Sequence, residues 1–358
     1  MSEVKGNINI DVIGTMSGTS LDGLDICFVN FTFNENKWSY KIHIAETIEY
    51  DSILKDKLAN AHLMDAQSFS KLHFDYGRYL GKRIKEFIDK HSIDPKLISS
   101  HGQTIFHQPE LGFTTQIGKG ACIAAETGVD TICDFRSTDV ALNGNGAPLV
   151  PIGDKYLFSE YDYCLNLGGF SNISYEGNDK RIAYDICPVN FILNYYMKQR
   201  EKEYDKDGET ARSGKVNEAL LEALNSLPYY SKAGPKSLGR EDVENDFFPL
   251  IDSFHLTVED ILSTYCKHIA VQIGKEIKRG KVLVTGGGAF NKFLIERMQQ
   301  NAVQCKYILP DAQTINYKEA LIFAFLGVLY NYNIVNCLSS VTGAKTDSIS
   351  GSLYKAFR

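Results

Sequence analysis

Between Gly14 and Asp25 the chain reads GTMSGTSLDGLD. Small residues let backbone N–H groups and hydroxyls approach phosphate oxygens, and a carboxylate beside them can orient Mg2+ or its waters. Gly18, Thr19, Ser20, Leu21, Asp22, Gly23, Leu24 and Asp25 therefore make a candidate phosphate loop, with Asp22 and Asp25 as the carboxylates near a metal. The plain alternative is a Gly- and Ser-rich hairpin turn, although such turns usually need only roughly two to five residues. It is not a Walker loop, because G-x-x-x-x-G-K-[ST] occurs nowhere in the chain. A second segment, NLGGFSN, holds Gly168, Gly169 and Asn172 and reads either as a matching phosphate hairpin or as a tight turn. In VTGGGAFN, Gly286, Gly287 and Gly288 stand at a strand-to-helix junction, where backbone can approach a nucleotide and a helix N-terminus attracts phosphate. A plain crossover loop is the alternative there, against the entropic cost of three consecutive glycines.

Asp185 ends a strand just ahead of Cys187-Pro188. A carboxylate at that place suits a general base, or else bonds the N–H groups of the helix that Pro188 is expected to open. Asn190, one turn on, is placed to help hold it. The loop Ser100-His101-Gly102-Gln103-Thr104, with His107-Gln108 close behind, concentrates donors for a polyhydroxylated ligand, although a lone His is more often structural. Arg136 in Asp134-Phe135-Arg136 can hold a carboxylate bidentately or form an ion pair between domains. Asp139 and Asn143-Gly144-Asn145-Gly146-Ala147-Pro148 close this part of the chain. Two tempting matches fail. Asp205-Lys206-Asp207-Gly208 puts Gly214 where a calcium loop needs Glu, and no G-x-S-x-G exists to carry a Ser nucleophile.

The elements around these segments repeat. Strands are expected at 7–13, 24–33 and 38–48, helical spacing from Asp51 to His91, then strands at 96–99, 114–117 and 129–133 around a short helix. The second half gives strands at 161–167, 172–175 and 181–186, helices at 211–226 and 258–278, a strand at 281–285, a helix at 290–300, a strand at 307–309 and a helix at 317–330. Two blocks of three antiparallel strands followed by alternating helices and strands predict an α/β, duplicated RNase H-like fold, two domains around a nucleotide cleft. The expected domains are 1–138 and 139–339, with the tail at about 340–358 returning to the first.

Composition narrows the classes. A 44% hydrophobic, 23% charged chain is globular. A formal net charge of −6 argues against nucleic acid or an anionic membrane as partner. MSEVKGNINI lacks an apolar signal-peptide core, and the longest apolar run, Leu321–Tyr330, reads as a buried helix. Eight scattered cysteines without CxxC fit a reducing compartment. The cytoplasm is the expected location.

With these motifs in order, the chain resembles anhydro-N-acetylmuramic acid kinases nearly end to end: GTMSGTSLDGLD, SHGQTIFHQP, TTQIGKGACIAAETGVDTICDFRSTDVALNGNGAPLVP, NLGGFSNIS, DKDGETARSGKV, PKSLGRE, LVTGGGAFN and KEALIFAFL. The resemblance implies an actin-like ATPase fold, with two domains around a nucleotide and substrate cleft, ATP and Mg2+, a homodimer, and a cell-wall amino sugar, 1,6-anhydro-N-acetylmuramic acid, as substrate in peptidoglycan recycling. It implies that Asp185 activates a water that attacks C1, that the anhydro bridge opens, and that O6 takes the γ-phosphoryl group. Arg136 would meet the lactyl carboxylate, Glu319 would assist, and His101, Gln103, Thr104 and Asn190 would line the sugar. One stretch departs from the family's pattern. Relatives often read D-T-G-P-G-N where this chain has Asp185-Ile186-Cys187-Pro188-Val189-Asn190, and often carry Thr where this chain has Leu238. Two other readings remain open: a sugar or acetate-type kinase acting on an existing hydroxyl, and a non-catalytic nucleotide-dependent switch.

Overall fold

Val12 and Ile13 are neighbours in sequence and both fully buried, as are Ile26 and Cys27. Adjacent residues of a strand point to opposite faces, so these strands lie in a sheet covered on both sides. The computed structural model describes residues 6–18 and 20–357. The chain forms two units, one comprising everything up to Leu157 together with Tyr317 onward, the other Phe158–Asn316.

In the first unit β1 (Ile8–Ser17), β2 (Gly23–Asn34) and β3 (Lys37–Glu49) form an antiparallel meander. β4 (Leu97–Gln108) runs parallel to β1, β5 (Phe113–Ile117) folds back on the outer end of β4, and β6 (Thr131–Cys133) is parallel to β4. In the second unit β7 (Tyr163–Leu167), β8 (Phe170–Gly177) and β9 (Lys180–Pro188) repeat the meander, and β10 (Gly280–Thr285) and β11 (Cys305–Ile308) add in parallel beside β7. The orders β3-β2-β1-β4-β6 and β9-β8-β7-β10-β11 are the same plan twice, which is the duplicated RNase H-like arrangement. A final strand, β12 (Ser352–Tyr354), pairs antiparallel with β6.

One face of the first sheet is closed by the helix Ala66–His91. Its Leu72, Tyr76, Leu80, Ile84 and Phe87 pack against Ile13, Leu24, Ile26 and Phe28, and Asp65 caps its start by accepting from the N–H groups of Gln67 and Ser68. The helix Ala312–Asn331 also packs on this sheet. Phe325 meets Phe31 and Trp38, and Gly14 lets the helix so close that a Cβ there would sit 2.1 Å from the carbonyl oxygen of Ala320. In the second unit Leu165, Ile173 and Ile186 of the sheet pack with Tyr265 and Ile269 of the helix Val258–Glu276.

Several expectations change. The observed divisions fall at Leu157/Phe158 and Asn316/Tyr317 instead of 138/139 and 339. Asp154 bonds Lys318 at 2.8 Å and Phe325 packs on β2 and β3, which ties both stretches to the first sheet. Ser100–Thr104 is not a loop, because β4 continues through it to pair with β5. β1 extends to Ser17 and β2 begins at Gly23, so the expected long loop shrinks to a turn. Pro188 ends β9 instead of opening a helix, since the Ser171 hydroxyl bonds both the N–H and the C=O of Cys187 and keeps the strand paired to its end. The helix expected over 211–226 breaks at Gly214, where the chain runs against the Glu259 backbone, and restarts behind the cap Asn217. All eight cysteines are free, and among the described residues no helix is long and apolar enough to cross a membrane.

Candidate functional site

Asp185 lies on β9 directly opposite Asn172 of β8, so the two side chains share a face of the sheet. Three contacts fix it. Its N–H donates to the carbonyl of Lys236 at 3.0 Å, the Tyr229 hydroxyl donates to its carbonyl at 2.6 Å, and the Leu238 N–H donates to its Oδ2 at 3.0 Å. Burial pushes its carboxyl above the ordinary Asp range, while the Leu238 N–H favours the charged form and restrains the rise. A half-buried carboxylate held on one oxygen, with its basicity raised, is fitted to take a proton from water.

The departure from the family's motif does not touch this arrangement. Ile186, Cys187 and Val189 are all buried among the apolar residues of the second unit. The positions where relatives carry Thr and glycine are here filled toward the core. Leu238 likewise serves through its backbone N–H, which any residue but proline supplies.

Gly168 and Gly169 form the two-residue turn of β7 and β8, and their carbonyls accept from the N–H groups of Val189, Asn190 and Phe191. Asn190 does not hold Asp185. Its Nδ2 donates to the Leu167 carbonyl at 3.0 Å, clasping the glycine turn instead. The triple glycine divides in the same way. Added Cβ atoms at Gly286 and Gly288 would meet Asn166 and Leu167 at 2.6 and 2.8 Å, so those two glycines serve close packing against the β7 strand. Gly287 has no such neighbour and lines a 370 Å³ cavity with Asn190, Asn194, Tyr204, Phe290 and Asn316. This cavity of amides and aromatic rings beside glycine turns is the candidate nucleotide pocket of the second unit.

In the first unit the turn of β1 and β2 occupies the place that Gly168-Gly169 has in the second. Gly18 and Ser20 lie in it, Leu21 takes a left-handed backbone with φ 58, and Asp22 is exposed. Thr19 lies outside the described residues. Leu24 belongs to the core at 1% exposure, so its side chain cannot face a cofactor, and Gly23 packs against the Ile48 carbonyl. Asp25 points out of β2 and accepts from the Thr47 hydroxyl at 2.6 Å; burial raises its carboxyl, Thr47 opposing and Asp22 adding. Glu319, on the helix that Gly14 admits, reaches solvent, yet loss of solvation lifts its carboxyl too, with Arg136 opposing and Asp25 adding.

A bulge between β1 and β4, with Thr15 opposite Ser100 but Ser17 opposite Gln103, swings His101 out of the ladder. Its Nδ1 donates to the Gly102 carbonyl at 2.9 Å, which leaves Nε2 to accept from Arg136 at 2.9 and 3.2 Å. Arg136 also donates to the Gly146 carbonyl at 2.6 Å. It stays a cation, its burial lowering it only to about 10. Gln103 is turned inward: it is 2% exposed and accepts from the buried Ser17 hydroxyl, which in turn accepts from Tyr50. Thr104 accepts from Gln116 at 3.3 Å. His101 also borders a 340 Å³ cavity with His73, Gln116, Lys119, Asp134 and Tyr354. Sequence reasoning missed Tyr229 and the Ser17–Tyr50 contact. PKSLGRE marked the segment that holds Asp185 without showing what it does.

Burial drives His101 from 6.5 to about 3, Arg136 adding to the effect, and does the same to His268, which sits between Tyr230 and Asn225. The unfolded chain takes up these protons near 6.5 and the folded chain does not until about 3. Their contribution to stability is therefore complete above pH 6.5 and drains as pH falls toward 3. Melting temperature should drop between pH 7 and pH 5, with a shallower slope in His268→Gln; an unchanged slope would remove this account.

The family model for anhydro-N-acetylmuramic acid kinase matches residues 10–356. The anhydro-N-acetylmuramic acid kinase of Shewanella denitrificans is 35% identical, over 96% of this chain and 98% of its own length. That of Shewanella baltica is 36% identical over 97% and 99%, and that of Vibrio vulnificus 34% over 96% and 97%. Among solved structures, the activator of the 2-hydroxyisocaproyl-CoA dehydratase from Clostridium difficile covers 90% of this chain and 95% of its own at 13% identity and TM-score 0.41, too distant to add to the assignment. A match this long and at this identity settles the kinship: the chain belongs to the anhydro-N-acetylmuramic acid kinase family.

Proposed function

We propose that this protein uses ATP to convert 1,6-anhydro-N-acetylmuramic acid to N-acetylmuramic acid 6-phosphate, a step of cell-wall recycling. Asp185 takes a proton from a water whose oxygen attacks C1. The C1–O6 bond breaks, O6 attacks the γ-phosphorus, and ADP leaves. Departure of O6 is assisted because its developing charge passes into a P–O bond. The single observation that carries this reading is the half-buried Asp185, lifted in basicity and held on one oxygen by the Leu238 N–H.

The other roles follow from position. Gly287 lines the second unit's cavity and Gly168-Gly169 form the turn of β7 and β8, and both support nucleotide binding. The turn at Gly18–Asp22 supports phosphate contact. Asp22 and Asp25 would hold Mg2+. Two carboxylates suit an ion that keeps several waters and takes phosphate oxygens, and among the described residues no cluster of three or more ligating side chains forms a closed metal cage. When bound, the ion neutralises phosphate charge. Arg136 would receive the lactyl carboxylate, with Glu319 near it.

Mass spectrometry of protein, ATP and anhydro sugar should give a product heavier by one water and one phosphoryl group. In 18O-labelled water the label should appear at C1. A phosphorylated product without label would point to a simple hydroxyl kinase, and nucleotide binding without turnover would sink the enzyme reading. We place the protein in the cytoplasm as a homodimer, on family likeness, and light scattering of the same sample should give twice the chain mass.

A further inference from the structure

Asp139 is fully buried, and none of the chemistry above uses it. Its Oδ1 accepts from the Thr342 hydroxyl at 2.7 Å and from the Cys337 thiol at 3.1 Å, and its Oδ2 accepts from the Gly146 N–H at 2.7 Å. The same Gly146 residue presents its carbonyl to Arg136 Nη1 at 2.6 Å, while Nε and Nη2 of Arg136 meet His101. Gly146 has φ 66, a left-handed backbone that glycine adopts without strain, so the direction of its carbonyl is set by its hydrogen bonds to Asp139 and Arg136. The guanidinium is thus fixed on one side by the imidazole and on the other by a single carbonyl, and Asp139 holds the glycine that bears it.

We propose that Asp139 is a positioning residue for substrate specificity: through Gly146 it sets the angle at which Arg136 meets a carboxylate on the sugar, and it ties that grip to the C-terminal tail through Thr342 and Cys337. This rests on the proposed function. A bidentate guanidinium–carboxylate contact is directional, and two parallel N–H···O bonds form only when the planar fork faces the acceptor. If the Gly146 carbonyl shifts, the fork turns, and a ligand with a carboxylate loses more than one without it.

The test compares two ligands. The first is 1,6-anhydro-N-acetylmuramic acid, which bears the lactyl carboxylate. The second is 1,6-anhydro-N-acetylglucosamine, the same bicycle without it, measured as a competitive inhibitor. In Asp139→Ala the KM for the acid should rise by roughly 10- to 100-fold, the range of a charge-assisted hydrogen bond. The inhibition constant of the neutral sugar and the KM for ATP should stay within about twofold. Asp139→Asn should recover most of the loss, because its amide oxygen can still accept from Gly146 while its nitrogen donates to Thr342. Should Asp139→Ala fail to fold, Thr342→Val carries the test, and must move the same ratio in the same direction by a smaller factor. Equal losses for both sugars, or an unchanged ratio, would overturn the proposal. Failure of the wild-type protein to convert the acid at all would instead overturn the proposed function.

Discussion

Asp185→Asn should lower kcat by roughly 10²- to 10⁴-fold, the usual range for loss of a general base, without lowering the melting temperature at neutral pH. The substitution is nearly isosteric, and the amide oxygen can still accept from the Leu238 N–H that now bonds Oδ2. What disappears is the capacity to take a proton. The second half of the expectation comes from linkage. Burial raises the folded-state pKa of Asp185, so between the unfolded and folded values the folded chain binds more protons and stability falls as pH rises. Above both values the buried charge is a net destabilisation, which an uncharged amide removes. The wild-type acid limb of kcat/KM should therefore lie above the ordinary Asp range, because the base works only when deprotonated, and it should vanish from the residual activity of the variant. Circular dichroism, thermal melts and steady-state rates on the two proteins suffice. Full turnover in Asp185→Asn would remove the carboxylate from the mechanism.

A large stability effect is expected at Gly14. A Cβ there would lie 2.1 Å from the Ala320 carbonyl oxygen and 2.6 Å from the Ala324 Cβ, so backbone, not a movable side chain, is in the way. Overpacking usually costs about 1–3 kcal/mol when side chains can adjust. Here they cannot, and Gly14→Ala should cost at least about 3 kcal/mol, a fall in melting temperature of roughly 6–12 °C for a domain of this size. Gly14→Val should leave no folded protein, since a domain's whole stability is only about 5–15 kcal/mol. Gly18→Ala is the control. Its nearest neighbour would be the Ser20 hydroxyl at 3.6 Å, so its stability should match the wild type. Equal melting curves for the two alanine variants would show that the helix does not need the close approach.

The element order was legible because the strands carry long apolar runs and the long helices keep their spacing. Leu72, Tyr76, Leu80 and Ile84 recur at one face of the helix Ala66–His91, and that helix could be read from its pattern. The chemistry-bearing turns were legible because glycine and aspartate stand out in such a background. Three things were not. The bulge at His101-Gly102 leaves no mark in the alternation, so the strand pattern stops at Ser99, although β4 runs on to Gln108. The Leu238 N–H is a backbone donor and has no side-chain signature. The direction of each residue in Asp185–Asn190 depends on the bulge at Ser171/Asn172. For that reason the sequence does not show that Cys187 and Val189 face the core.

The three-residue strand β12 lies along β6, whose other side is taken by β4. Without it, Thr131–Cys133 would present unpaired N–H and C=O groups in a row, an invitation for a second molecule to add a strand. Lys355, just past β12, bonds Asp130 at 2.8 Å and helps keep the strap shut. Shortening the chain from its C-terminal end would therefore produce clumping before it produced unfolding, and a purification handle is better carried at the other end.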